Sequence, residues 1–196
     1  MKKTLFVLVL FALAVSMTFA VNLISFGDME TGAISNWVEE GSKLSFKKGE
    51  GIDGSTALYV KGSYDWSGTG LDLTKIMKFD KSYYIEVWFK ADKRDKDVRK
   101  GSITLELQPE GTDEWTQYIY LDVGVDYFEK QCTGSEVEFT NAGFTKVSGV
   151  FWSEDLQAAV DGKKIQHITV YFKIDSPLGR PYYIDNVVLE EIVEAQ

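Results

Sequence analysis

The feature that most constrains the fold of this chain is a two-residue hydrophobic period that returns in segment after segment, with no sustained 3.6-residue stripe. It is clearest in YYIEVWFKA (83–91), SITLELQ (102–108), TQYIYLDV (116–123), FTKVSGVFW (144–152), HITVYFKID (167–175) and YYIDNVVLEEI (182–192). Shorter candidates are NLISF, KLSFKK and ALYVKG. Successive side chains of a strand point to opposite faces, so alternation marks a strand with one buried face. Separated by Gly, Asp and Asn clusters, these segments predict about nine or ten strands in an antiparallel sandwich or barrel. One helical turn, EDLQAAVDG, is too short to change the all-β class.

Alternation also sorts the side chains. In HITVYFKID the set Ile168, Val170, Phe172 and Ile174 faces the core, leaving Tyr171, Lys173 and Asp175 outside. SITLELQ turns Ile103, Leu105 and Leu107 inward and Thr104, Glu106 and Gln108 outward. YYIEVWFKA buries Tyr83, Ile85, Val87 and Phe89 and presents Tyr84, Glu86, Trp88 and Lys90; TQYIYLDV presents Thr116, Tyr118, Tyr120 and Asp122. A solvated sheet face favours Thr, Lys and Glu, so aromatic rings at Trp88, Tyr118, Tyr120 and Tyr171 are unusual there, unless loops cover them. If they line one groove, their chemistry suits a sugar. A pyranose ring stacks its apolar C–H face on an aromatic ring while its hydroxyls bond to Glu, Gln, Lys or Asp.

Residues 1–20, MKKTLFVLVLFALAVSMTFA, run from two lysines through a short apolar stretch to a small residue, the pattern of a secretory signal peptide. The expectation is a single domain over residues 21–196, secreted or periplasmic, with no membrane insertion, because no later segment offers the roughly 18 apolar residues of a spanning helix. Without Lys2 and Lys3 the chain carries 19 basic and 30 acidic side chains, a net charge of −11 that disfavours nucleic acid and anionic membranes. Cys132 is the sole thiol, so no internal disulfide is available, and packing or a metal must stabilise the fold.

Catalytic signatures are few. His167 is the lone histidine and no GxSxG elbow accompanies it, which argues against a Ser-His-Asp triad and excludes a multi-histidine zinc site. Neither GxxxxGK[ST] nor GxGxxG occurs. The enzyme alternative is a small β-sandwich glycoside hydrolase, which needs two carboxylates across a cleft; Glu86 and Glu106, both outward, are the candidates.

NLISFGDMETGAISNW, GSTALYVKGSYDWSGTGLDL, KSYYIEVWFKAD, FTKVSGVF and PYYIDNVVLEE, in that order, resemble the successive landmarks of the jelly-roll carbohydrate-binding modules of families four, nine, sixteen and twenty-two. The resemblance implies a two-sheet β-sandwich, non-catalytic polysaccharide binding and a structural calcium ion away from the sugar. Asp28, Glu30 and Asp185 match the calcium-binding positions of such modules, with backbone carbonyls around Lys48 to Gly51 to complete the six to eight oxygens that calcium takes. Trp66 in YDWSG matches a ring-stacking position, and Tyr171 and Lys173 match a strand that contributes an aromatic and a polar contact. Lys173 departs from the glutamate frequent there, and Phe144 stands where a Trp is common.

The leading expectation is therefore a secreted, non-catalytic module binding a polysaccharide of xylan or β-glucan type through an aromatic-lined cleft. Its site comprises Trp66, Trp88, Glu106, Gln108, Tyr118, Tyr120, Tyr171 and Lys173, and glycoside hydrolases acting in trans are its natural companions. It reads as a module standing without a catalytic domain. A hydrolase, or a structural envelope protein without a sugar site, is the alternative.

Overall fold

A strand with one apolar face must bury it against another layer, and this chain pairs its strands into two sheets that bury each other. The computed structural model describes residues 21–125, 127 and 130–193; the signal-like residues 1–20 lie outside the described residues. Eleven strands occur among the described residues: β1 (Val38–Glu40), β2 (Ser42–Lys48), β3 (Thr56–Gly62), β4 (Gly68–Asp72), β5 (Ser82–Ala91), β6 (Arg99–Pro109), β7 (Ile119–Asp122), β8 (Glu136–Phe139), β9 (Thr145–Phe151), β10 (Ile165–Ile174) and β11 (Tyr182–Ile192). A helix, α1 (Ser153–Val160), follows β9. The first sheet runs β1-β4-β10-β6-β7, with β8 pairing the other half of β6; the second runs β2-β3-β11-β5-β9. Their ladders are antiparallel. No described helix is long and apolar enough to cross a membrane.

The core lies where alternation places it. Ile103, Leu105 and Leu107 of β6 and Val170 and Phe172 of β10 meet Leu58, Val60, Val87, Phe89 and Ile184 of the second sheet, all 0% exposed. The fold is a two-sheet β-sandwich of the jelly-roll kind.

Three differences from the sequence reading have physical causes. NLISF is not a strand. Asn22 uses its side-chain oxygen to accept from Ile24 N (2.9 Å) and Leu189 N (3.0 Å), and the backbone then turns, Gly27 N donating to Ile24 O and Met29 N to Phe26 O. The segment instead straps the start of the chain onto β11, where Val187 N donates to Gly27 O at 2.8 Å. Conversely, β4 has the sequence GTGLD, whose glycines hide its strand character, yet it is held in the sheet between β1 and β10. Finally, Tyr84 belongs to the outward set of β5 but is buried at 2% exposure. The chain between β7 and β8 covers it: Gly124 and Thr133 bond along β9, and Lys130 lies over the Tyr84 ring, 3.9 Å from its centroid, while pairing with Glu190.

Candidate functional site

The outer face of the first sheet carries a cleft of about 600 Å3, lined by Glu40, Trp66, Glu106, Trp115, Tyr118, Tyr120, Tyr171 and Lys173. Its floor exists because of two glycines. Gly68 and Gly70 of β4 pair with Lys173 and Tyr171 of β10. A β-carbon at Gly68 would meet the Lys173 Cγ at 2.7 Å, and one at Gly70 would meet the Tyr171 ring at 2.9 Å. With no side chains at Gly68 and Gly70, the two long side chains of β10 lie down across this part of β4. Glu40 enters from β1, and Glu106 of β6 stands in register with Tyr120 of β7.

Two aromatic walls flank this floor. Trp66 rides on the turn between β3 and β4, which Ser67 fixes by accepting from Ser63 N (3.1 Å) and Tyr64 N (2.9 Å) and donating to Gly41 O (2.7 Å). Its ring is 56% exposed and stacks on Tyr64 at 4.9 Å with 2° between planes. The other end of the indole lies against Gly41, where a β-carbon would meet it at 2.7 Å. Opposite stands Trp115, 71% exposed, on the short 3-10 turn Trp115–Gln117. Gln108 Nε2 donates to Thr112 O at 2.8 Å and holds the loop that carries this turn. Tyr171, by contrast, is only 9% exposed and forms floor rather than wall.

The polar groups of the floor are coupled. Lys173 Nζ lies 2.8 Å from Glu40 Oε2 and 4.6 Å from the centroid of the Tyr171 ring. Burial, and then the charge of Glu40, hold the Glu106 carboxyl above its ordinary range, against the pull of Lys173 and of a hydrogen bond from Tyr120. Burial and Glu106 together push the Tyr120 hydroxyl up to about 12. Chemically the cleft offers flat apolar rings above a floor of carboxylates and hydroxyls, and the rings are open to solvent.

Of the residues singled out from sequence, Trp66, Glu106, Tyr118, Tyr120, Tyr171 and Lys173 come together here. Trp88 does not: it lies on the outer face of the second sheet, paired in register with Lys146, its indole donating to Glu86 Oε1 at 2.8 Å. Gln108 braces the Trp115 loop and does not line the cleft. Glu86 and Glu106 lie on different sheets, so they cannot form the carboxylate pair of one active site. Glu86 is already engaged by the Tyr84 hydroxyl (2.6 Å) and Trp88. Sequence reasoning missed Trp115 and Glu40. Trp115 sits one residue before the alternating run 116–123, and Glu40 belongs to a strand of three residues.

The acidic residues of the chain start divide. Glu30 accepts from both the backbone N–H and, at 3.0 Å, the hydroxyl of Thr56. Asp185 accepts from Ile52 N (2.8 Å) and Ser55 Oγ (3.0 Å) through Oδ2 and from Asn186 N (2.7 Å) through Oδ1. Asp185 thus holds the segment between β2 and β3, and Glu30 the first residue of β3 that follows it. A β-carbon at Gly51 would collide with Ser55 Oγ, Asp185 Oδ2 and the Thr56 carbonyl, so oxygens crowd around bare backbone there. Burial raises the Asp185 pKa, and Glu30 adds to the rise. Asp28 stands apart: its side chain accepts from Glu30 N at 3.1 Å, as an acidic turn residue does, and does not reach the Ile52–Thr56 stretch. Among the described residues no group of three or more His, Cys, Asp or Glu is placed to hold a metal. The donors fit a hard cation only with Glu30 and Asp185 supplemented by hydroxyl and carbonyl oxygens.

Comparison with known proteins bears on the family and the fold. A family model described as a carbohydrate binding domain matches residues 21–148. No curated protein sequence matches significantly. Among solved structures, the CBM22-1 xylan-binding domain of Paenibacillus barcinonensis Xyn10C superposes with a TM-score of 0.63 at 16% identity, over 86% of this chain and 94% of that one. The CBM22-2 xylan-binding domain of the same protein gives 0.65 at 15% identity, over 85% and 98%. A CBM22-1–GH10 structure of Clostridium thermocellum Xyn10B complexed with xylohexaose gives 0.62 at 14% identity, over 84% of this chain and 27% of that one.

Proposed function

The chain belongs to this carbohydrate binding domain family, and on that premise we propose that it binds a polysaccharide of xylan or β-glucan type in the cleft between Trp66 and Trp115. The observation that carries the proposal is the pair of solvent-open indoles standing over a polar floor. Each indole can cover the apolar face of one sugar ring, a large apolar contact, and the Trp66 ring is already held against Tyr64 and Gly41, which lowers the ordering cost there. Glu106, Tyr118 and Tyr120 then accept from and donate to the hydroxyls that remain. The xylan-binding names of the structural neighbours support the choice of ligand.

The chain acts outside the cytoplasmic membrane, as its signal-like start suggests, and concentrates glycan for hydrolases supplied in trans. A calcium ion belongs at Glu30 and Asp185, with the Ser55 hydroxyl and backbone carbonyls between Gly51 and Thr56 as its other oxygens. When bound it ties the chain start and β11 to the same turn and so stabilises the fold by mass action. The binding proposal is tested by affinity electrophoresis through gels containing xylan, mixed-linkage β-glucan or no polymer. Retardation by either polymer is expected; unretarded migration through both removes the proposal. Glycoside hydrolysis keeps one observation on its side, since Glu40 and Glu106 share the cleft. Release of reducing ends from either polymer by the purified protein would favour it over binding alone.

A further inference from the structure

From sequence, Lys173 looks like a cation available to a ligand. In the structure its charge is already satisfied. Of the residues lining the cleft Lys173 alone is basic, and its ammonium lies 2.8 Å and 3.0 Å from the two oxygens of Glu40, over the face of Tyr171. The second carboxylate, Glu106, has the Tyr120 hydroxyl as its partner, and no described cation lies within ion-pairing distance, Lys173 being turned to Glu40. Two carboxylates and one ammonium leave the floor with one uncompensated negative charge. The whole chain, at −9, adds a field of the same sign.

From this geometry we infer that the cleft selects uncharged stretches of polysaccharide and rejects uronate-bearing ones. Glu106 repels the uronate, and Glu40 keeps Lys173 from attracting it. The inference rests on the polysaccharide reading above and adds to it the determinant of which glycans are refused. A sugar carboxylate brought between the aromatic walls would lose part of its water and face Glu106 with no cation in the lining but Lys173, which Glu40 already holds. Like-charge juxtaposition of this kind is how interfaces suppress wrong partners. The raised pKa of Glu106 in the free protein, due to burial and then to Glu40, reports the same repulsion from within.

Calorimetric titration at neutral pH tests it. The probes are a neutral xylo-oligosaccharide and one of equal backbone length carrying a single glucuronic acid, with the corresponding neutral and oxidised β-gluco-oligosaccharides beside them. Wild type is expected to bind the acidic member of the series it recognises about tenfold or more weakly than the neutral one. Glu106→Gln should close most of that gap. Glu40→Gln, which releases the Lys173 ammonium, should bring the acidic ligand level with the neutral one or above it. Thermal melting identifies which variants are folded, and either variant alone decides the outcome. Equal affinity of wild type for neutral and acidic ligands, or an undiminished gap in a folded variant, overturns the inference while leaving polysaccharide binding standing. Failure of folded wild type to bind either neutral ligand overturns the polysaccharide reading, and the inference with it.

Discussion

Removing the indole of Trp66 is the perturbation whose two consequences separate most cleanly. Trp66 is 56% exposed, so a little under half of its side chain is covered in the free protein, by Tyr64 and the Gly41 backbone. A tryptophan buries about 150–250 Å2 when fully covered. At about 25 cal/mol/Å2 the part already covered is worth about 2 kcal/mol, an upper bound because the unfolded chain also covers some of it. The exposed face that a sugar would cover is of similar area, and about 1.4 kcal/mol of it corresponds to tenfold in affinity. Trp66→Ala is therefore expected to weaken oligosaccharide binding by about tenfold or more, and to lower stability by no more than about 2 kcal/mol. A fully buried tryptophan would cost about 3–5 kcal/mol instead. Chemical denaturation and calorimetric titration on one preparation measure both. Unchanged affinity per folded molecule, together with a loss in the larger range, would refute the assignment of Trp66 as a wall of the site.

Other variants probe the remaining parts. Trp115→Ala should weaken binding by a similar factor with almost no change in melting, since the ring is 71% exposed; loss of stability without loss of affinity would mean that the loop, not the ring, matters. At neutral pH Glu106→Gln should melt at or above wild type. The Glu106 pKa is raised in the fold, so its contribution is present below the ordinary glutamate value and is lost as pH rises through the folded one; a variant less stable than wild type at pH 7 contradicts this. Asp95→Asn should cost up to about 3 kcal/mol by depriving the buried Arg99 guanidinium of its closest carboxylate. Arg99 holds the Asp95 pKa low, so this stabilisation is present above the ordinary aspartate value and fades as pH falls through the depressed one. The variant should accordingly show a flatter acid-melting profile than wild type below about pH 4. Chelator should lower the melting midpoint and calcium restore it, with Asp185→Ala unresponsive; superimposable melts in chelator and in calcium would remove the ion.

Much of the sandwich is written in the alternation of β5, β6 and β10, because a strand with one buried face has little freedom in composition. What alternation cannot say is which of two outer faces a strand belongs to. Trp88 and Glu106 are both outward, and they end up on opposite sides of the molecule. Nor does it reveal a strand with glycines along one face: β4 is legible only once Gly68 and Gly70 are seen as the space into which Tyr171 and Lys173 lie. Tyr84 failed for a third reason, a covering loop with no period of its own. Within the site, Trp66 was legible through the resemblance, because YDWSG matches a ring-stacking position of such modules. Glu40 was not, since its role comes entirely from pairing across the sheet with Lys173.

The central claim, that Trp66 and Trp115 receive the sugar, has one direct test. The chain has five tryptophans, and each gives a separate indole N–H signal in a proton–nitrogen correlation spectrum. Trp37 is core, Trp88 lies on the far sheet, and Trp152 follows β9 beside Tyr127. Titration with a neutral xylo- or β-gluco-oligosaccharide should shift the indole signals of Trp66 and Trp115 to saturation and leave those of Trp37, Trp88 and Trp152 in place. Saturable shifts at Trp88 or Trp152 with Trp66 and Trp115 unmoved would place the sugar on another face and contradict the account.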